Sequence, residues 1–164
     1  MQKERAEYFL NEAKELLNSL NEVIEKFNEY VKTHITQLHN NCNEEIYQNL
    51  DIGLYQCIHL NESVCKEAEK QCSIIALKAA NLVFGYNPEH PLNILLKKTI
   101  DQKFFFSPYI YYHDRVFSAQ ALGADSLSYK ESTSHIEYLI KEFIHYLDSF
   151  ILPFIEEPSL DLPR

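Results

Sequence analysis

The chain has 164 residues, 46% of them hydrophobic and 24% charged, which is the composition of an ordinary soluble globular domain. It has only three glycines, which argues against a fold built from many tight β-turns. Twenty-four acidic residues against fifteen basic ones give a net charge of −9, so most of the surface would repel a nucleic-acid backbone. We therefore expect one domain over residues 1–155, a polar tail over residues 156–164, and no broad nucleic-acid binding.

A long amphipathic pattern opens the chain and predicts a helix that ends near Asn40 and Asn41. Its apolar seam alternates spacings of three and four residues, which no strand could show, and consists of Leu10, Ala13, Leu17, Leu20, Ile24, Phe27, Val31, His34 and Leu38. A second apolar column lies beside it, at Phe9, Leu16, Val23 and Tyr30. Because the apolar stripe is this wide, the helix should contact two neighbours, as in a helical bundle.

The next pattern predicts a second long helix. Asn43 suits its N-cap, residues 51–53 allow a kink, and Gly85 suits the residue just after its end. Its seam continues the same spacing through Leu54, Ile58, Asn61, Cys65, Ala68, Cys72, Ile75, Ala79 and Leu82. A polar residue inside such a seam, here Asn61, can set the register between helices.

The rest of the chain predicts shorter elements. A proline-bracketed loop over residues 86–91 precedes a helix from about Leu92 to Lys103, and a short helix is expected from Asp114 to Leu122. The last helix has two capping boxes, beginning at Ser128 and Ser134, and should end or kink at Pro153. The prediction is an all-α, antiparallel up-and-down bundle of about four helices, the first two long, with short helices between the second and the last.

The four cysteines form no Cys-x-x-Cys pair, and Cys65 and Cys72 are about 10 Å apart along one helix, too far for a disulfide. The first residues lack an apolar signal segment, and no apolar run is long enough to cross a bilayer. These observations predict free thiols, a cytoplasmic location and no membrane partner.

Few residues carry recognisable chemistry. Glu142 and His145 have the Glu-x-x-His spacing of carboxylate-bridged metal bundles, but such a centre needs two of these motifs and further glutamates. His34 fits a core histidine better than a metal ligand or a general base, because the adjacent turn of the helix carries no other titratable side chain. We expect no metal and no cofactor.

An aromatic stretch, residues 104–117, has no helical period and is split by Pro108. It is compatible with a cap of large rings over the end of the bundle, and equally with a tyrosine-rich interface. The partner-binding residues that we predict are Tyr109, Tyr111, Tyr112, His113, Arg115 and the loop residue His90.

The order of features over residues 67–152 carries a family resemblance. Its residues are Ala76-Leu77-Lys78-Ala79-Ala80, Gly85, Pro88, His90, Leu92, Leu95-Leu96, and Arg115 before the capped last helix. This order resembles HEPN domains, helical modules of prokaryotic nucleases, antitoxins and defence proteins. The ribonuclease members carry Arg followed four to six residues later by His, whereas the positions after Arg115 hold Ala119, Gln120 and Ala121.

With that motif missing, the expected function is a non-enzymatic interaction or regulatory protein of antitoxin, immunity or defence type. Its partner would be another protein or a second copy of itself. Two alternatives stay open. One is a divergent HEPN-type enzyme that cleaves RNA or modifies nucleotides, with a site near His90, His113 and Arg115. The other is a bundle metalloprotein that uses Glu142 and His145.

Overall fold

A computed structural model of the chain describes residues 2–41, 55–113 and 129–155. Its elements in chain order are helix α1 (Gln2–Asn41), strand β1 (Tyr55–His59), helix α2 (Glu62–Tyr86), helix α3 (Leu92–Asp101), strand β2 (Tyr109–His113) and helix α4 (Tyr129–His145). A π-helical turn (Tyr146–Ile151) and a 3₁₀ turn (Leu152–Phe154) follow α4. The prediction of a helical bundle with four helices, the first two longest, is confirmed. One small antiparallel sheet, β1–β2, was not expected.

The second helix was predicted to begin too early. Residues 55–59 form β1, so Ile58 belongs to a strand, and the helix begins only at Glu62. Asn61 does not set a register: its Oδ1 accepts a hydrogen bond from the Ser63 N–H at 2.8 Å, which makes it the N-cap of α2. The predicted features at residues 43–54 and the short helix at residues 114–122 lie outside the described residues.

One compact unit consists of the described residues up to Ser19, residues 75–102 and residues from His135 onward. In it α1 and α2 run antiparallel, because Arg5 and Phe9 near the start of α1 contact Tyr86 at the end of α2. Helices α3 and α4 complete its apolar core, which contains Ala6, Leu10, Ala13, Ile75, Ala76, Ala79, Val83, Leu92, Leu96, Ile136, Leu139, Ile140, Phe143 and Leu147.

The other compact unit consists of residues 20–74 and 103–134, as far as they are described. Three rings form its centre: Phe27 meets Phe106 and Tyr129 edge-on, with ring centroids 4.8 Å apart in each pair. Phe106 and Tyr129 stack on each other at 4.9 Å, and the Tyr129 hydroxyl donates to Asn28 Oδ1. Burial of such rings contributes more apolar area than any other side chain offers.

The predicted seam of α1 is confirmed over the residues whose burial is described. Five of its members are buried, namely Leu10, Ala13, Leu20, Phe27 and Val31, and the half-buried ones are Leu17, Ile24 and His34. The second column is half-buried throughout, as expected for a helix that contacts two neighbours. Among the described helices, none is long and apolar enough to cross a membrane.

The predicted effect of Pro153 at the end of the last helix is also confirmed. Proline has no N–H to donate, so regular α-helical bonding cannot continue through it. The chain widens instead, with the Leu152 N–H bonded to the Leu147 carbonyl, and then tightens into the 3₁₀ turn. Ser134 caps no helix, since it lies inside α4 and its Oγ bonds the Glu131 carbonyl at 3.0 Å.

Candidate functional site

The predicted partner-binding residues fall into two groups. Tyr109, Tyr111, Tyr112 and His113 form most of β2 in the second compact unit. His90 belongs to the first unit, in the loop before α3, and Arg115 lies outside the described residues. Each group is therefore described within its own unit.

The tyrosines of β2 lie in a paired strand rather than in an irregular loop. β2 pairs antiparallel with β1, Tyr111 opposite Cys57 and Tyr109 opposite His59. Successive residues of a strand alternate between its two faces. Tyr111 and Tyr112, which are adjacent in the sequence, therefore belong to opposite faces of the sheet.

The exposure of residues at the end of β1 distinguishes the two faces of the sheet. The Leu60 N–H donates to the Pro108 carbonyl at 2.6 Å, which extends the pairing by one step beyond His59 and Tyr109. Leu60 is fully buried, whereas His59 is exposed. We name the face that includes His59 the tyrosine–histidine face; its residues are Tyr55, Cys57, His59, Tyr109, Tyr111 and His113.

The segment that leads into β2 is held by the helices of its own unit. The Phe106 N–H donates to Glu69 Oε1 of α2 at 3.0 Å, and the ring of Phe106 lies in the aromatic core between Phe27 and Tyr129. The Cys65 thiol donates a weaker bond to the Ser107 carbonyl at 3.9 Å. Sequence analysis missed this role of Glu69, because a helical glutamate facing a distant backbone N–H has no local pattern.

The thiols of α2 are poorly suited to nucleophilic chemistry. Cys65 and Cys72 are free, as predicted, and buried. Burial is the main cause that raises the pKa of Cys65 to about 11, with Glu69 and Glu62 adding to it. Burial alone raises the pKa of Cys72 to about 12. Only the thiolate is strongly nucleophilic, so both cysteines act here as small apolar core residues.

His90 caps the beginning of α3. Its Nδ1 accepts a hydrogen bond from the Leu92 N–H at 3.1 Å, which puts the proton of the neutral ring on Nε2. The ring lies edge-on to Tyr146, with centroids 4.5 Å apart, and near Phe143. Burial lowers the pKa of His90 below its ordinary value of 6.5. Its described contacts therefore give this residue a structural role.

Arg5 closes the end of α2. Its guanidinium donates to the carbonyls of Gly85 and Tyr86, at 3.0 and 2.6 Å, and lies over the rings of Phe9 and Tyr86. A cation at a helix C-terminus satisfies carbonyls that have no helical partner. Gly85 thus lies in the last turn of α2, not after it as predicted, and without a left-handed backbone. No sequence pattern links Arg5 to residues 80 positions away.

The geometry of His90 predicts a pH dependence of stability. Its pKa is lower in the folded chain, so the unfolded chain binds more protons as the pH falls through 6.5. The free energy of unfolding should decline from that pH downward and be unaffected by His90 above it. His90→Asn keeps an acceptor for the Leu92 N–H but cannot titrate. Urea titrations from pH 8 to 5 should show a smaller decline for this variant; equal declines would contradict the role of His90.

The apolar core contains one narrow void that has no room for a substrate. It measures about 10 Å³, the space of roughly one water molecule, and its walls are apolar. Residues of four helices line it, namely Ala13, Leu16, Ala79, Leu82, Val83, Leu96, Leu139, Ile140 and Phe143. Small-molecule sites have volumes of roughly 300 Å³ or more. This void is a packing defect.

The Glu142 and His145 pair has no further metal ligands beside it in the described part of the chain. His145 is exposed, and its Nδ1 is 3.2 Å from Ser149 Oγ. No group of three or more His, Cys, Asp or Glu side chains that could hold a metal ion occurs among the described residues.

Comparison of the chain with protein-family models, with curated proteins and with solved structures finds no match.

Proposed function

We propose that this protein is a non-enzymatic interaction module of regulatory type, and that it binds another protein through the tyrosine–histidine face. The observation that carries the proposal is the change in exposure between successive residues at the end of β1. His59 is exposed and the next residue, Leu60, is buried, and the register places Tyr109 and Tyr111 on the face of His59.

The composition of this face supports a protein partner. Tyrosine offers a large, rigid contact area and a hydroxyl with few rotatable bonds to immobilise, and it is enriched at the centre of interfaces. Neither strand contains Lys, Arg, Asp or Glu, so a partner would have no ammonium, guanidinium or carboxylate group of these strands to desolvate. The net charge of −9 would speed association with a partner whose surface is basic.

The anchoring of β2 supports the same function. Binding residues work best on a scaffold that is ordered before the partner arrives, since less conformational entropy is then lost on binding. The bond from Phe106 to Glu69, the aromatic core around Phe106 and the bond from Leu60 to Pro108 all hold the end of the sheet at His59 and Tyr109.

A photo-crosslinking amino acid placed at Tyr111 in the producing cells identifies the partner. We expect one specific cross-linked protein, and no such product from the same amino acid at Tyr138, a tyrosine of α4 that is 55% exposed. The product should disappear when Tyr109 is also replaced by alanine. Equal cross-linking from Tyr111 and Tyr138 would show non-specific contact and contradict the proposal.

Binding and stability measurements with the identified partner then distinguish the roles of the two faces of the sheet. Tyr109→Ala with Tyr111→Ala should weaken binding by about thirtyfold or more, as loss of interface anchors does, with unchanged circular dichroism. Tyr112→Ala, at a strand position that shares its face with the buried Leu60, should lower the urea midpoint instead. Titration calorimetry and urea denaturation measure the two effects. Normal binding by the folded double variant would refute the site.

A further inference from the structure

Helix α2 has a second apolar seam on the side opposite its buried one. Ile74, Leu77, Asn81 and Phe84 succeed one another at spacings of three, four and three residues, which keeps them on one face of the helix. The apolar members expose 36%, 50% and 59% of their surface, in chain order. We call these four residues the outer seam. Ten residues of helix make it about 15 Å long.

Three of the four residue types in the outer seam, Ile74, Leu77 and Asn81, are ones that two-stranded coiled coils use at the corresponding positions. In heptad notation Ile74 and Asn81 occupy position a, and Leu77 and Phe84 occupy position d. A β-branched residue at a with Leu at d favours two strands, and one Asn at a selects the partner and register. Asn81 is exposed, and its side chain makes no hydrogen bond to a described residue.

The charge pattern favours a second copy of this chain on this surface. The chain carries a net charge of −9, so most surfaces of two copies repel each other, yet residues 71–88 contain no acidic residue at all. Lys78 is the one charged residue in that stretch. The Asn81 amide is both donor and acceptor, so two such amides satisfy each other across a two-fold axis.

We propose that two copies of this chain associate through the outer seam of α2, Asn81 meeting Asn81 across the two-fold axis. The seam is shorter than a standard interface of about 800 Å² per partner requires, so the dimer is weak and concentration-dependent. This association goes beyond the tyrosine–histidine face and uses different residues. It can therefore fail or succeed independently of the proposed function.

Sedimentation equilibrium of the full chain from about 1 to 500 µM tests the proposal. The wild-type mass should rise with concentration from 19.3 kDa toward twice that value. Leu77→Glu and Phe84→Glu should each weaken association by about tenfold or more, since each buries a charge within the seam, on one side of Asn81 or the other. The matched control is Ile94→Glu on α3, where the wild-type residue is 64% exposed and outside the seam; it should associate like wild type.

Asn81→Leu provides a second readout that does not depend on a disruptive change. Removing the polar a-position should tighten association or produce species larger than a dimer. A wild-type chain that stays monomeric over the whole range overturns the proposal. So does a dimer that persists in folded Leu77→Glu and Phe84→Glu chains, or one that Ile94→Glu weakens equally. Tyr109→Ala with Tyr111→Ala should leave the dimer intact, which separates this result from the proposed function.

Discussion

Replacing Phe27 with alanine is expected to lower the free energy of unfolding by about 3–5 kcal/mol. Phe27 is 3% exposed, and its ring contacts Phe106, Tyr129 and Tyr30 at centroid distances of 4.8, 4.8 and 6.0 Å. The loss is large because the rings around Phe27 cannot move far enough to fill the space that its side chain leaves. Urea denaturation followed by circular dichroism measures it.

The control lies on the same helix. Glu22 is exposed, and Glu22→Ala should change the free energy of unfolding by less than about 0.5 kcal/mol. Similar effects of the two replacements would mean that the seam of α1 is not the buried side. Because Phe106 leads into β2, a folded Phe27→Ala chain should also bind its partner more weakly than wild type.

Replacing Leu139 with alanine should cost about 3–5 kcal/mol, at the upper end for leucine in a core. Leu139 is fully buried and lines the narrow void in the first compact unit. Truncation would enlarge an existing defect, and the cost of a cavity grows with its volume. The walls belong to four helices, so closing the space would require several helices to move. Urea titrations at pH 8 avoid the contribution of His90.

Tyr138 is the neighbour that serves as its control. It is 55% exposed on the same helix, and Tyr138→Ala should stay within about 0.5 kcal/mol of wild type. If Leu139→Ala cost less than about 1 kcal/mol, the void would not be a feature of a rigid core.

The sequence alone was enough to predict the four helices, although not the start of α2, because their pattern is local and long. The seam of α1 from Leu10 to Val31 repeats over many turns, and only a helix places all of those residues on one side. The start of α3 after Pro91 and the disruption at Pro153 were also predictable, since proline acts through its own missing N–H. Helix α3 ends at Asp101, two residues before the predicted Lys103. The free state of Cys65 and Cys72 followed from their separation along one helix.

Tertiary structure decided what local patterns leave ambiguous. Ile58 fits the seam of a helix as well as it fits a strand, and the choice depends on hydrogen bonds to β2, more than fifty residues later. The role of Asn61 changed with it, from a seam residue to an N-cap. The faces of Tyr111 and Tyr112 depend on the register of the sheet, which no periodicity in β2 specifies.

In the candidate sites, too, part could be predicted from the sequence and part is decided only by tertiary structure. Tyrosines concentrated in one segment could be recognised from the sequence, but which of them accompany His59 follows only from pairing with β1. The capping of α2 by Arg5 and the hydrogen bond that the Phe106 N–H donates to Glu69 join residues 80 and 37 positions apart. Such contacts form because backbone N–H and C=O groups in a folded chain need hydrogen-bond partners, and the tertiary structure decides which side chain is close enough. No local sequence pattern therefore predicts them.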